Sequence, residues 1–301
     1  MAYYEGFQAV EAMQVASKAA GWECEYRQIE AGLLEARTAF QQVGRSSLIC
    51  ETSNRRIEFA AQAPNAATAV LVPLPGTRGL FNGRRVSDDR IIVVAPDVDI
   101  HAVTSGGGEL WSIHLPTDLL DESLNIERLG TRVTAARPAS LAEFRVAIKL
   151  ALADDREKAL NHHEAHFADL VQALLSNDAP ATRSECNNHR YKRRALVRAM
   201  DFIEARLARP LRISQVSTYA NVSRSTLERL FQREFQQTPS SYVRARRLDA
   251  VRRELAGGLD FSRTIADVAI AHGFTHMGRF SSMYRKQFGR LPSEDRPRFR
   301  N

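Results

Sequence analysis

The chain has 301 residues, with 42 Lys+Arg against 35 Asp+Glu, a formal net charge of +7 and 44% hydrophobic residues. This composition excludes collagenous, low-complexity and charge-rich disordered chains, and no apolar run approaches the ~20 residues that span a bilayer. The first residues, Met1 to Glu5, lack the basic and apolar regions of a secretory signal, and three widely separated cysteines without a C-x-x-C pair argue against a disulfide framework or a thiolate zinc site. A cytoplasmic protein is expected.

In chain order, segments at Glu25 to Ala31 and Leu48 to Phe59 read as strands. A denser series follows from Ala66 to Leu115: Thr68 to Leu74, Leu80-Phe81, Ile91 to Val94, Ile100 to Val103 and Leu110 to Leu115. Asn82-Gly83 is a strong hairpin signal. Strands at such spacing predict an all-β sandwich or small barrel. From Ser140 to Leu175 the period becomes helical, with Leu141, Phe144, Ile148 and Leu152, then Phe167, Leu170, Val171 and Leu174. These helices are expected to pack on the β-unit or on a second subunit. The polar stretch 177–190 reads as a linker, which divides the chain into 1–176 and 191–301.

Charge divides at the same place. Residues 1–180 carry 17 Lys+Arg against 24 Asp+Glu, a net of −7; residues 181–301 carry 25 against 11, a net of +14. Nearly all the positive charge of the second part is arginine, since its only lysines are Lys192 and Lys286. A compact, arginine-rich domain beside an acidic one points to nucleic acid, because the guanidinium fork suits phosphate and guanine.

Everything after Tyr191 reads as helix, and it repeats. Val216, Ala220, Val222, Leu227, Phe231 and Phe235 recur as Val268, His272, Phe274, Phe280, Tyr284 and Phe288. The offset is 52 residues before the turn and 53 after it, so one extra residue sits in the second turn. Each copy, 213–235 and 264–288, is a short helix, a tight turn (Asn221-Val222; Gly273-Phe274) and a longer amphipathic helix. Ser223 caps the first long helix, Thr264 with Asp267 forms a capping box, and Thr238-Pro239 opens a connecting helix that ends at Gly257-Gly258. In such a helix-turn-helix unit the second helix enters the major groove. The helical wheel turns Ser225, Glu228, Arg229 and Gln232 outward in the first copy, and Gly278, Ser281, Ser282 and Arg285 in the second, with Arg279 on the flank. Candidate base contacts are Ser225, Glu228, Arg229, Gln232, Arg279 and Ser282; candidate phosphate contacts are Arg224, Arg233, His276 and Arg285.

From Tyr191 to Arg296 the chain resembles the AraC/XylS family of bacterial transcription regulators, most closely its XylS-like branch. The residues that carry this are 247–255 (RLDAVRREL) and the closing signature Gly273, Phe274, His276, Gly278, Arg279, Phe280, Tyr284, Phe288, Gly289, Pro292 and Ser293. The resemblance implies a seven-helix DNA-binding domain that places two recognition helices in successive major-groove segments. Asp295, before Arg296, departs from the aromatic often found there. Residues 1–176 are similar to the family only in outline. On that resemblance they form a cupin-like β-sandwich or barrel with packed helices that binds an effector and dimerises, and Arg84, Arg85, His101 and Trp111 are candidate contacts to an anionic or aromatic ligand.

Other classes fit less well. A cupin metalloenzyme needs clustered ligands, and the β-region holds only His101 and His114 without an H-x-H pair. His162, His163 and His166 have helical spacing that suits a metal or, more simply, a solvated stripe. No phosphate-binding loop or nucleophile motif occurs. Neither Cys24 nor Cys50 has the basic surroundings that a reactive thiol needs. The expectation is therefore an α+β, two-domain, non-enzymatic regulator without cofactor. It is expected to bind double-stranded DNA and a small-molecule effector, to pair as a homodimer and, as an activator, to engage RNA polymerase. An architectural DNA-binding protein is the main alternative.

Overall fold

The computed structural model describes residues 1–121, 124, 130–136, 138–153, 157–175, 183–257 and 263–296, excepting the side chains of 153, 157–163, 183–190 and 193. The chain divides into two units, Met1–Tyr26 with Glu35–Pro180, and Arg27–Leu34 with Ala181–Asn301.

In the first unit β1 (Ala2–Glu5) and α1 (Gly6–Ala19) precede β2 (Glu23–Gln28), β3 (Glu35–Val43), β4 (Ser46–Ser53), β5 (Ile57–Gln62) and β6 (Ala67–Pro73). Then come β7 (Gly79–Phe81), β8 (Arg84–Val86), β9 (Arg90–Val94), β10 (Asp99–Thr104), β11 (Gly108–Pro116) and β12 (Thr131–Ala135). The stretch from Leu48 to Phe59 is thus two strands with a break at Asn54 to Arg56. Asn82 (φ 48°) and Gly83 (φ 75°) both take the left-handed conformation, as a tight β7–β8 hairpin requires. Two sheets result, with strand orders β1-β3-β4-β11-β6-β9-β12 and β2-β5-β10-β7-β8.

The seven-stranded sheet is covered on both faces. One face buries Cys50, Val70, Val72, Trp111, Ile113 and Leu115 against α2 (Pro138–Ala153) and α3 (Glu157–Leu175), through Phe144, Ile148, Phe167 and Val171. The alternate residues Glu51, Leu71, Leu110 and Ser112 line a pocket together with residues of the other sheet. Double coverage explains why β6 and β9 read as unbroken apolar runs rather than as an alternation. Helix α1, unforeseen from sequence, buries Ala9, Val10, Met13, Ala16 and Ser17 on one stripe.

The second unit has seven helices among its described residues: α4 (Arg183–Glu204), α5 (Ile213–Tyr219), α6 (Arg224–Phe235), α7 (Pro239–Gly257), α8 (Ile265–Ala271), α9 (Met277–Phe288) and α10 (Pro292–Asp295). The expected linker 177–190 is helical from Arg183 onward; residues 177–182 and Gly258 lie outside the described residues. No proline or glycine interrupts 183–204, and the core residues Ala195, Leu196, Ala199, Phe202 and Ile203 anchor the helix further along. Helix α7 joins the two repeats by burying residues toward both. Tyr242 meets Phe231 and Phe235 (ring centroids 5.2 and 4.4 Å), while Leu248, Val251 and Leu255 pack with Val268, Phe274, Phe280, Tyr284 and Phe288. Among the described residues no helix is long and apolar enough to cross a membrane.

Candidate nucleic-acid interface and ligand pocket

The two repeats close their turns by the same backbone device. Asn221 (φ 56°) and Gly273 (φ 84°) are left-handed, and the next residue in each copy donates its N–H five residues back: Val222 to Ser217 and Phe274 to Ala269, both at 3.0 Å. This Schellman arrangement ends α5 and α8, and its apolar partner is Val222 or Phe274. The long helices then start on different caps. Ser223 Oγ accepts from the Thr226 N–H at 3.1 Å, whereas His276 caps α9 without a side-chain bond. The Thr264–Asp267 capping box opens α8, with Asp267 N–H donating to Thr264 Oγ1 at 3.1 Å and Thr264 N–H to Asp267 Oδ2 at 2.8 Å.

Helices α6 and α9 bury one face, Leu227, Leu230, Phe231 and Phe235 in α6 and Phe280, Tyr284 and Phe288 in α9. On the opposite face Arg224, Ser225, Glu228, Arg229 and Gln232 are exposed, as are His276, Arg279, Ser282 and Arg285. Arg233 is half-buried beside Glu234 at 3.4 Å, and Ser281 is half-buried rather than fully outward. Neither helix carries an acidic residue in its first turn, so the positive end of each helix dipole is left for an anion.

Among the described residues the exposed side chains of these faces hold weak local bonds. Arg224 Nε reaches Glu228 Oε1 at 3.1 Å in an exposed pair, and Arg229 donates to Thr226 Oγ1 at 3.3 Å. Such surface pairs contribute ~0–1 kcal/mol and exchange readily for phosphate or a base edge. Among the described residues the side chains of Arg279 and Arg285 make no hydrogen bond or ion pair. The chemistry on offer is guanidinium for guanine or phosphate, carboxylate for cytosine, and amide for adenine.

Asp295, the unusual residue near the end of the chain, has a defined place. It receives Arg252 Nε at 3.0 Å and the Tyr284 hydroxyl at 2.8 Å, while the Arg252 guanidinium lies 4.4 Å from the Phe288 ring centroid. Arg252 and Asp295 side chains are 1% and 4% exposed. A buried carboxylate thus ties α10, α7 and α9 together and supports the second recognition helix from behind.

The first unit holds a pocket of ≈ 660 Å³, mouth included, lined by Met13, Trp22, Phe59, Leu71, Phe81 and Leu110 among others. At one side Ser17 Oγ lies 2.8 Å from the Tyr26 hydroxyl, which lies 2.9 and 3.0 Å from the two oxygens of Glu51. Burial lifts the Glu51 carboxyl to about 8, partly opposed by the Tyr26 hydrogen bond. Behind the aromatic wall the Trp22 indole donates to His114 Nε2 at 2.7 Å, and burial lowers His114 to about 4, so the imidazole is neutral.

The four ligand candidates named from sequence are not among the residues lining this pocket. Arg84 and Arg85 sit on the β8 side of the hairpin, half-buried and exposed respectively. His101 pairs with the buried Glu58 at 2.9 Å, on the face of β10 opposite the lining residues Ala102 and Thr104. Trp111 lies in the core beneath α2 and α3. The pocket residues Ser17, Tyr26 and Glu51 come from α1, β2 and β4 with no spacing that links them in sequence. The side chains of His162 and His163 lie outside the described residues, and His166 is exposed. Cys24 and Cys50 are buried, and burial pushes both thiols up to about 12, away from a reactive thiolate.

Comparisons with known proteins agree with the second unit's geometry. The family model HTH_18, a helix-turn-helix domain, matches residues 216–298. The chain is 26% identical over 229 residues to the XylDLEGF operon transcriptional activator 1 of Pseudomonas putida, covering 72% of this chain and 67% of that protein. It is 37% identical over 97 residues to the XylDLEGF operon transcriptional activator 2 of Pseudomonas putida, covering 32% of this chain and 62% of that protein. The matches thus span about two thirds of these relatives' own length. A solved AraC-type DNA-binding transcriptional regulator from Chromobacterium violaceum is 35% identical over 34% of this chain and 88% of its own, with a TM-score of 0.32. The second unit holds an AraC-type helix-turn-helix DNA-binding domain, and the chain is similar to transcriptional activators of the AraC/XylS type.

Proposed function

We propose that the chain is a sequence-specific, ligand-responsive transcriptional activator that reads two adjacent major-groove segments with α6 and α9, and that it has no enzymatic activity of its own. The observation that carries this reading is the duplicated unit. Two helices of equal length each bury an aromatic face and turn a polar, arginine-bearing face to solvent. The base-reading set is Ser225, Glu228, Arg229, Gln232, Arg279 and Ser282; Arg224, Arg233, His276 and Arg285 take phosphates. The pocket between the two sheets receives a small-molecule effector. Exposed Val146 and Leu150, one helical turn apart on α2, support pairing as a homodimer through the first unit. RNA polymerase is the partner an activator engages, and the cytoplasm is where it acts.

Arg229→Ala tests the base-reading role. Affinity for a duplex selected by the protein itself should fall by ~1–3 kcal/mol more than affinity for random duplex. Equal losses on both would assign Arg229 to a phosphate. Affinity of the wild type should also drop steeply with salt, because each neutralised phosphate releases condensed cations.

A further inference from the structure

The pocket of the first unit has an unusual chemical balance. Its 18 lining residues include the aromatic rings of Trp22 and Tyr26, both in contact with that of Phe59, with centroids 5.6 Å apart for Trp22–Phe59 and 4.7 Å for Tyr26–Phe59. Hydroxyls from Ser17, Thr52, Ser53, Thr104 and Ser112 add polar points. Glu51 is the one carboxylate in the lining, and no arginine, lysine or histidine lines it. Among the described residues the Tyr26 hydroxyl is the only donor to Glu51, and one phenolic proton cannot serve two carboxylate oxygens fully.

The lining offers an anionic ligand no cation to offset its charge. A ligand that brings N–H donors and a positive charge supplies what Glu51 lacks, and the aromatic wall adds attraction for a cation. Resting on the effector-pocket reading above, we propose that this pocket selects an organic ammonium: a primary or secondary amine on an aromatic or apolar body, with its N–H groups held by Glu51 and the Tyr26 and Ser17 oxygens.

Binding has a proton signature. The carboxyl, lifted to about 8 in the empty pocket, is largely protonated at pH 7. An ammonium keeps its own proton and drives the Glu51 proton into solvent, so each ligand bound releases up to one proton. The titratable groups that Glu51 influences are Tyr26 and Cys24 on β2 and its chain neighbour Cys50, on the other face of β4; burial raises all three, so they stay neutral at pH 7. Lys18 of α1 acts on Cys24.

The test is calorimetric titration of the full chain at pH 7 with 2-phenylethylamine, 2-phenylethanol and 3-phenylpropanoate, repeated in buffers of different ionisation enthalpy. The amine should bind at least about tenfold more tightly than the alcohol, the equivalent of ~1.4 kcal/mol, and release close to one proton. Glu51→Gln should cost the amine at least about tenfold and leave the alcohol unchanged; Tyr26→Phe should weaken the amine more than the alcohol. Tighter binding of 3-phenylpropanoate, amine binding without proton release, or full amine affinity in Glu51→Gln would overturn the ammonium assignment. If the alcohol or the acid binds wild type and the pocket-filling Ser112→Phe abolishes it, the effector pocket stands and only the ligand class fails. Binding of none of the three overturns the pocket reading as well.

Discussion

Removal of the Asp295 carboxylate is the sharpest perturbation of the second recognition helix that leaves its DNA face untouched. Arg252 and Asp295 are almost wholly buried, and the same carboxylate takes the Tyr284 hydroxyl. In Asp295→Ala the guanidinium keeps its desolvation cost but loses the Asp295 carboxylate, and the phenol loses the same acceptor. Breaking a buried pair from one side costs about 3–5 kcal/mol, a large fraction of the ~5–15 kcal/mol available to a typical domain. At roughly 4 °C or more per kcal/mol for a unit of this size, the transition should move down by about 10 °C or more. The assay is thermal and urea unfolding followed in parallel by far-UV circular dichroism and by tryptophan fluorescence. Both tryptophans, Trp22 and Trp111, lie in the first unit, so their transition should keep its midpoint while part of the helical signal is lost early. Arg252→Met combined with Asp295→Leu removes both charges and should recover most of the loss. A cost below about 1 kcal/mol for Asp295→Ala, or a double variant less stable than the single, would refute the reasoning.

Two further outcomes follow from local geometry and burial. Asn221→Val, a β-branched residue forced to φ 56°, should cost ~1–2 kcal/mol, while Asn221→Gly should be close to neutral; urea midpoints decide between them. The first unit should show two opposed pH slopes in tryptophan-detected unfolding. His114 is lowered to about 4 from its ordinary 6.5, so the unfolded chain binds the proton first, and the stability present above pH 6.5 is lost as pH falls towards 4. Glu51 is raised to about 8 from its ordinary 4.5, so its contribution is full below pH 4.5 and declines as pH rises towards 8. His114→Gln should flatten the first slope and Glu51→Gln the second; slopes identical to wild type would contradict the burial of these groups.

The double helix-turn-helix unit was legible because its information is local and duplicated. The 52- and 53-residue offsets, the left-handed Asn221 and Gly273, and the Thr264–Asp267 box are all properties of short segments. The charge division at residue 180 supplied the partner class. The pocket was not legible, because Ser17, Tyr26 and Glu51 meet only after three elements have assembled. Trp111 shows the physical reason most clearly. Along β11 Trp111, Ile113 and Leu115 alternate with Ser112 and His114, which separates two faces, but only the assembled fold reveals that the face of Trp111 is the one packed with α2 and α3 and the face of Ser112 the one that lines the pocket. Arg84 and Arg85 drew attention by charge, yet Asn82-Gly83 beside them already marked a hairpin tip. Helix α1 leaves a mark in the sequence, since Ala9, Val10, Met13 and Ala16 hold helical spacing. Asp295 stood out as a departure from family pattern, and only the fold reveals that Arg252 and Tyr284 converge on it.

The central claim is that α6 and α9 read DNA sequence together. Selection from a random duplex pool by the full chain tests it directly. The account predicts enrichment of a bipartite motif whose halves lie about one helical turn apart, ~10 bp, with Arg229→Ala relaxing one half and Arg279→Ala the other. A pool that is retained with steep salt dependence yet gains no motif would contradict it and leave only charge-driven, non-specific binding.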